Sequence, residues 1–475
     1  MRGIIGHGAY LPRWRLDRTS IGASLGTGVG AGKGRRSVAS YDEDSTTMGV
    51  EAARLALRNA PGSSPATLWF STTAPAYLDK TNATTIHAAL RLGRHVLAAD
   101  AGGAVRSGVA ALRTSLDGTT AALVVAADIR GGLAGGPDES AGGDGAAALL
   151  VGDEHDGPVI ADYLGSASAS EEFLDRWRAP GTTWSKVWEE RFGERRYLEL
   201  AEEAWKLGLK AAGLAPGDVT ELIVAGLHGR AVRSVARRLA APNTAVAATL
   251  DSTVGCTGAA HPFLLLSSVL ERARPGAVIA LVSLADGADV FFFRVTAADA
   301  PVPAVRQVSS QQAAGRIVPY GKYLAWRNQL HVEPPRRPDP VRVSAPAAGR
   351  ATDWKFGFVG SRVPGSSEVR LPPAVPGADP GVVADPAPMA DVLGTVATFT
   401  VDRLAYSPSP PIVFAVVDFD GGGRLPVELT DVGPDEVSIG TRVEMTFRRL
   451  SEADGVINYF WKARPLAVDE SGGFA

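Results

Sequence analysis

A single cysteine, Cys256, stands in 475 residues. That excludes an intramolecular disulfide framework and any multi-cysteine zinc site, and it suits a reducing compartment. The chain has no excess of either charge: 48 Lys+Arg against 51 Asp+Glu give a formal net charge of −3. Without a long basic run there is no electrostatic footprint for a nucleic-acid partner. Long apolar runs are missing too. The most apolar later stretch, 277–295, is interrupted by Asp286 and Asp289. The opening MRGIIGHGAYLPRWRL has basic residues but no apolar core of signal-peptide length. A soluble, cytoplasmic protein with no membrane partner is expected. At about 100–200 residues per domain, the length allows two to four domains and a sizeable core.

Strand-like apolar runs at 67–73 and 121–127 alternate with stretches of helical period at 48–57, 84–92 and 106–116. This alternation predicts βαβ units and a largely parallel, buried sheet. The plan occurs twice. Residues 106–128 and 258–286 each read as a small-residue loop, a helix, a turn with Gly, and an apolar strand ending in Asp. Asp144-Gly145-Ala146 and Asp286-Gly287-Ala288 then each lead into another apolar strand. Two similar halves are expected at 1–165 and 215–300. Between them, 166–214 is rich in Trp, Arg and Glu and reads as a helical insertion, either capping a pocket or packing onto the core through its aromatics. Residues 301–353 turn to Pro, Arg and Gln and mark a linker. The segment 354–388 follows. Residues 389–475 hold five short alternating segments divided by Pro and Gly, the count of an OB-fold barrel. OB-folds can bind single-stranded nucleic acid, but the charge balance speaks against it here.

A duplicated α/β chain with Gly143-Asp144-Gly145-Ala146, His228 after an apolar strand (IVAGLHGRAVRSVARRL) and the loop VGCTGAAHP before the next helix resembles the thiolase superfamily over residues 1–300. Within it, the resemblance is to the hydroxymethylglutaryl-CoA synthase and ketoacyl synthase III group. The C-terminal part is similar to the OB-fold domain that accompanies acyl-CoA-handling members. The fold class implied is α/β, a duplicated thiolase-like fold with a C-terminal small β-barrel.

The resemblance implies a nucleophilic Cys at a helix N-terminus, a His, and an Asn or second His; one branch adds an acid/base Glu. The helix dipole and backbone N–H groups favour a thiolate there. The Cys motif overlays Val105-Arg106-Ser107-Gly108-Val109-Ala110-Ala111, which has no thiol; a shifted alignment offers Asp100 or Ser107. The Glu position falls in Ser71-Thr72-Thr73-Ala74-Pro75. His228 keeps the His position, and Cys256 replaces the Asn. The expected catalytic residues are therefore His228 as base and Cys256 as displaced nucleophile, with Arg106, Ser107, Arg230 and His261 on the substrate. Against this, Cys256 reads equally as a small buried hydrophobe, His261 as structural, and Asp100 and Asp128 as turn or capping residues. The family's zinc-ribbon positions carry Val363, Ser366, Val375 and Ala378 around Pro372-Pro373, so no metal is expected and no cofactor beyond a coenzyme A thioester as substrate. Expected partners are acyl-CoA or an acyl-carrier protein, a second copy in a homodimer, and a partner enzyme. Three functions fit: an acyltransferase or condensing enzyme with a non-standard site, a retro-aldol lyase of acyl-CoAs drawing on Tyr77, Tyr320 or Tyr323, and a non-catalytic thioester-binding or scaffold subunit.

Overall fold

The computed structural model describes residues 1–26, 32–297, 302–303, 306–333, 337–338, 340–373 and 384–466. It separates into two compact units, 1–39 with 44–84 and 94–320, and 40–43 with 85–93 and 321–475. Among the described residues no helix is long and apolar enough to cross a membrane.

The first unit is built on a ten-stranded sheet. Its strands are β1 (Gly3–Tyr10), β2 (Thr67–Ser71), β3 (Leu97–Asp100), β4 (Ala122–Asp128), β5 (Gly145–Gly152), β6 (Ala161–Ser170), β7 (Glu221–Gly226), β8 (Ala245–Val246), β9 (Val278–Leu284) and β10 (Gly287–Val295). The order β8-β7-β9-β10-β6-β1-β5-β4-β2-β3 reads as two copies of one five-strand plan joined at β6 and β1. Helices α1 (Ser45–Arg58) and α2 (Arg106–Asp117) belong to the first copy; α3 (Glu190–Ala212), α4 (Gly229–Leu239) and α5 (His261–Leu270) belong to the second. The duplication expected from the sequence is therefore present.

Three expectations need correction. The sheet is mixed: the outer three strands of each copy are parallel, while β9 and β10 run antiparallel. The Asp286-Gly287 step, with φ of 47° and 138°, turns the chain straight back into an antiparallel hairpin. Second, 166–214 is not an insertion. Its first residues complete β6, and α3 buries Tyr197, Leu200, Ala201, Ala204, Trp205 and Leu209 in the core formed with β7, β9 and β10. That face makes α3 the counterpart of α1, and the second half begins at Ala161. Third, the first part of the 301–353 linker is integral. Gln311 accepts from Leu11 N–H (2.8 Å) and donates to the Ala9 carbonyl (2.9 Å), and Arg316–Ile317 pairs with Trp14–Arg15.

The second unit contains a closed barrel of β11 (Gly394–Asp402), β12 (Ile412–Phe419), β13 (Arg424–Leu429), β14 (Arg442–Ala453) and β15 (Val456–Pro465), ordered β11-β12-β13-β15-β14. Alternate residues of β12 (Val413, Ala415, Val417, Phe419) are buried, as period-two patterning requires. One segment of this unit comes from far earlier in the chain. Asp42 is buried with Lys462 Nζ 3.1 Å from its Oδ2, and Thr430 Oγ1 donates to the same oxygen (2.8 Å). Glu43 pairs with the buried Arg448, which also meets Asp431 at 2.7 Å. Lys462 reaches Glu428 at 2.5 Å. A short three-stranded sheet at Val359–Arg362, Val369–Arg370 and Asp385–Pro388 stands where the ribbon was expected. Val363 and Ser366 form its turn, while Val375 and Ala378 lie outside the described residues.

Candidate active site

The C-terminal ends of β2, β4, β7 and β9 converge in the first unit, and the loops leaving them carry the polar residues. At the end of β4, Asp128 is fully buried and accepts from Thr73 N–H (2.6 Å), Thr72 Oγ1 (3.1 Å), Thr73 Oγ1 (3.0 Å) and Ala259 N–H (2.9 Å). The carboxylate thus ties the end of β2 to the turn after Cys256. Gly258 in that turn has φ +57°, and a Cβ there would lie 2.1 Å from Asp128 Oδ2 and 2.9 Å from Arg130 Cδ. Gly258→Ala is expected to cost about 3 kcal/mol, from left-handed strain plus overpacking. Urea unfolding followed by tryptophan fluorescence measures it.

His228 caps α4. Ala231 N–H donates to its Nδ1 (3.1 Å), which places the ring hydrogen on Nε2, and Nε2 donates to the Glu190 carbonyl (2.9 Å). Both ring nitrogens are engaged. The Tyr197 ring stands edge-on to it with centroids 6.0 Å apart. Next to both is Asp175, 4% exposed, whose Oδ1 has no hydrogen-bond partner among the described residues. A Cβ on Gly193 would lie 2.4 Å from Asp175 Oδ1 and 3.1 Å from His228 Cδ2, so this glycine of α3 admits the pair. Burial holds the Asp175 carboxyl above the usual carboxylate range, against the pull of Arg176. Burial, with the charges of Asp175 and Asp286, also pushes the Tyr197 phenol up.

The other residues singled out in the sequence are placed as follows. Cys256 is buried and its thiol donates to the Gly226 carbonyl at 3.6 Å. Burial pushes it up to about 11, so it stays protonated at neutral pH and the expected helix-terminus activation does not arise. Arg106 spans the two copies, with Nε 2.8 Å from Asp289 Oδ2 and Nη1 donating to the Asp286 carbonyl (2.8 Å). Ser107 Oγ donates to the Gly102 carbonyl (3.1 Å), and the exposed Arg230 pairs with Glu194 at 2.9 Å. His261 is buried, with burial pulling its imidazole down to about 4; Thr257 N–H donates to its Nδ1 at 3.3 Å. Asp100 caps the segment at Asn82 and Ala83. The Tyr320 hydroxyl donates to Glu139 (3.0 Å), and Tyr77 N–H to Asn82 Oδ1 (3.0 Å). Tyr323 is buried in the second unit.

Sequence reasoning missed Asp175, Tyr197, Arg130 and Arg178. Arg130 Nη1 donates to Thr73 Oγ1 (2.9 Å), and Arg178 donates to the Thr73 carbonyl. Arg176 pairs with Asp138 at 2.6 Å, which fastens the 171–189 segment here. Among the described residues no group of three or more His, Cys, Asp or Glu is disposed to hold a metal ion.

Residues 209–291 match the model of the 3-oxoacyl-[acyl-carrier-protein] synthase III C terminal, and 388–448 match that of the ChsH2 C-terminal OB-fold domain. A hydroxymethylglutaryl-CoA synthase of Methanopyrus kandleri is 29% identical over 344 residues, 69% of this chain and 97% of the relative. That of Aeropyrum pernix is 31% identical over 347 residues, 70% of this chain and 95% of the relative. The chain belongs to the hydroxymethylglutaryl-CoA synthase family. A crystal structure of an HMG-CoA synthase complexed with CoA shares the fold, with TM-score 0.57 and 18% identity over 72% of this chain and 95% of the other. Two positions depart from what the resemblance implies. Val105 precedes α2 where the nucleophile was expected and makes no side-chain cap. Thr72 and Thr73, where the acid/base Glu was expected, give their hydroxyls to Asp128.

Proposed function

We propose that the protein binds an acyl thioester at the C-terminal ends of β2, β4, β7 and β9 and makes or breaks a carbon–carbon bond beside the thioester carbonyl by proton transfer, with no acyl-enzyme. One observation carries this reading: a buried carboxylate, Asp175, keeps an oxygen free of partners beside His228 and Tyr197. A base raised above the ordinary carboxylate range is better matched to abstracting a proton near neutral pH. In the cleaving direction the Asp175 carboxylate takes the proton of a β-hydroxyl. The O–H electron pair becomes the new carbonyl π-bond, and the Cα–Cβ pair moves into the thioester as an enolate. Reprotonation of Cα by the Asp175 carboxyl completes the cycle. The Tyr197 phenol donates a hydrogen bond to the developing oxyanion. Condensation is the same path reversed. His228 fixes the geometry through α4.

A second reading, a thioester-binding subunit without turnover, is favoured by the engagement of both His228 nitrogens and the Cys256 thiol with backbone groups. Incubation with a panel of 3-hydroxyacyl-CoAs, followed by mass spectrometry of the small molecules and of the intact protein, separates these readings. The expected result is a shortened acyl-CoA plus a carbonyl product, with no mass increment on the protein. An increment abolished by Cys256→Ala overturns the absence of an acyl-enzyme, and binding without turnover selects the second reading.

A further inference from the structure

Three of the five exposed aromatic residues among the described residues, Trp184, Trp188 and Phe192, stand within a stretch of nine, and Leu174 and Val187 are exposed close to them in the chain. This apolar surface adjoins the site, and two aromatic rows join it to Asp175. The first begins at His228. Tyr197 stands edge-on to His228 (centroids 6.0 Å apart), Phe173 edge-on to Tyr197 (5.0 Å), and Phe192 edge-on to Phe173 (6.4 Å). Exposure rises along this row from 5% at Tyr197 to 44% at Phe192. In the second row, Trp188 N–H donates to the Asp175 carbonyl (2.8 Å), and the Trp188 ring, 62% exposed, tilts against Trp177 at 5.9 Å. Phe173 and Leu174 directly precede Asp175, so one short segment carries both the carboxylate and the start of the apolar surface.

The hairpin that bears these rings is fastened while they stay in water. Arg176–Trp177 pairs with Lys186–Val187, Arg176 meets Asp138 at 2.6 Å, and Arg178 donates to the Thr73 carbonyl. A cluster of large exposed apolar side chains beside a site marks a binding surface, because single exposed residues are ordinary and clusters are not. Charge indicates what covers it. Residues 171–192 hold five acids and four bases, a balance that attracts neither an anionic membrane nor a highly charged partner. An uncharged apolar group fits, and continuity with Asp175 makes it part of the ligand. A short acyl group at Asp175 would leave Phe192 and Trp188 uncovered.

We propose that this aromatic face receives the acyl group of the ligand, so that the thioester carries a bulky apolar chain or ring. This rests on the thioester reading above for the reactive end of the ligand, while the apolar face stands on the exposed rings alone. Calorimetry with octanoyl-CoA, phenylacetyl-CoA and acetyl-CoA is the test, on the full chain and on Trp188→Ala, Phe192→Ala and Phe414→Ala, the last an exposed aromatic of the barrel. The wild type is expected to bind octanoyl-CoA, phenylacetyl-CoA or both about 30-fold or more tightly than acetyl-CoA, at about four-fold for each methylene buried. Trp188→Ala and Phe192→Ala each cut that preference about five-fold or more, and Phe414→Ala leaves it. Both site variants change exposed side chains, and circular dichroism checks their folding. Neither bulky thioester binding more than about three-fold tighter than acetyl-CoA, or a preference that survives in both site variants, overturns the proposal. The uncharged fluorophore N-phenyl-1-naphthylamine is the second arm. Its binding to the wild type and to Phe414→Ala, lost in both site variants, supports the apolar face even if no thioester binds, an outcome that removes the thioester reading instead. No binding of fluorophore or thioester overturns both. Sedimentation velocity, and co-sedimentation with vesicles of phosphatidylcholine and phosphatidylglycerol, test the other occupants. A dimer or a vesicle complex that both site variants abolish, with no fluorophore bound, overturns the proposal in favour of a second copy or a lipid surface.

Discussion

Replacing Asp42 with alanine is expected to destabilise the second unit by about 3 kcal/mol, the scale of breaking a buried ion pair on one side only. The buried ammonium of Lys462 would keep Glu428, and Arg448 would keep Glu43 and Asp431, so the loss falls at the low end of that range. Two hydrogen bonds to the Asp42 side chain, from Thr430 and Ser40, go with it. Acid titration offers a second measurement of the same contact. Burial alone would push the Asp42 carboxyl up, but Lys462, Arg448 and the hydroxyls of Ser40 and Thr430 hold it at about 2. A carboxyl depressed on folding stabilises the native state above its unfolded pKa and loses that stabilisation as pH falls through its folded value. The wild type should therefore lose on the order of 2 kcal/mol between roughly pH 4 and pH 2. Asp42→Ala should lack that part of the pH dependence. Urea midpoints at several pH values, read from the fluorescence of Trp461 and Trp354, give both results. An unchanged midpoint in the variant would show that the remaining acids of the cluster suffice.

Asp175→Asn is expected to lower kcat for thioester cleavage or condensation by about 10²–10⁴-fold, the usual contribution of a positioned general base. The amide keeps the carboxylate's shape in the space left by Gly193, so lost packing does not explain the loss. The pH profile should change as well. With its carboxyl held above the ordinary range by burial, the wild-type rate should fall on acidification at a higher pH than an exposed aspartate would give, and that limb should vanish in the variant. Stability should move the other way. An acid whose pKa is raised on folding favours the native state at low pH and opposes it once pH rises through the folded value. Asp175→Asn is thus expected to unfold at the same or higher urea concentration at pH 7. A protein that loses both activity and stability would place Asp175 in the scaffold rather than in the chemistry.

Much of this fold is written in local pattern. The apolar runs at β4, β7, β9 and β10 and the repeated Asp-Gly-Ala step disclose the duplication, because buried central strands need such residues and tight hairpins need such turns. The start of the second copy is not visible in the same way. Strand β6 reads ADYLGSASAS, small residues with no apolar run, because it lies under α3 and draws its burial from that helix. Hence α3, preceded by an irregular aromatic stretch, looks like an insertion. At the site, His228 is recognisable as a residue leaving an apolar strand into a helix. Asp175 is not, since its significance lies in the partner that one of its oxygens lacks after folding. Cys256 shows the opposite case: its position before a helix suggests activation, while its burial against the Gly226 carbonyl decides for a neutral thiol.

The short acidic segment Ser40–Glu43 also sets a timetable. It leaves the ribosome about 400 residues before Arg448 and Lys462, which at 5–20 residues per second is a delay of roughly 20–80 s. During that interval the strands on which the first unit is built are all synthesised, and Asp42 and Glu43 remain solvated carboxylates. The barrel, finished last, meets its counter-charges already made. A barrel expressed from 321 onward would hold Lys462 and Arg448 without Asp42 and Glu43, so the boundary at which this protein can be divided is set by charge and not by the linker.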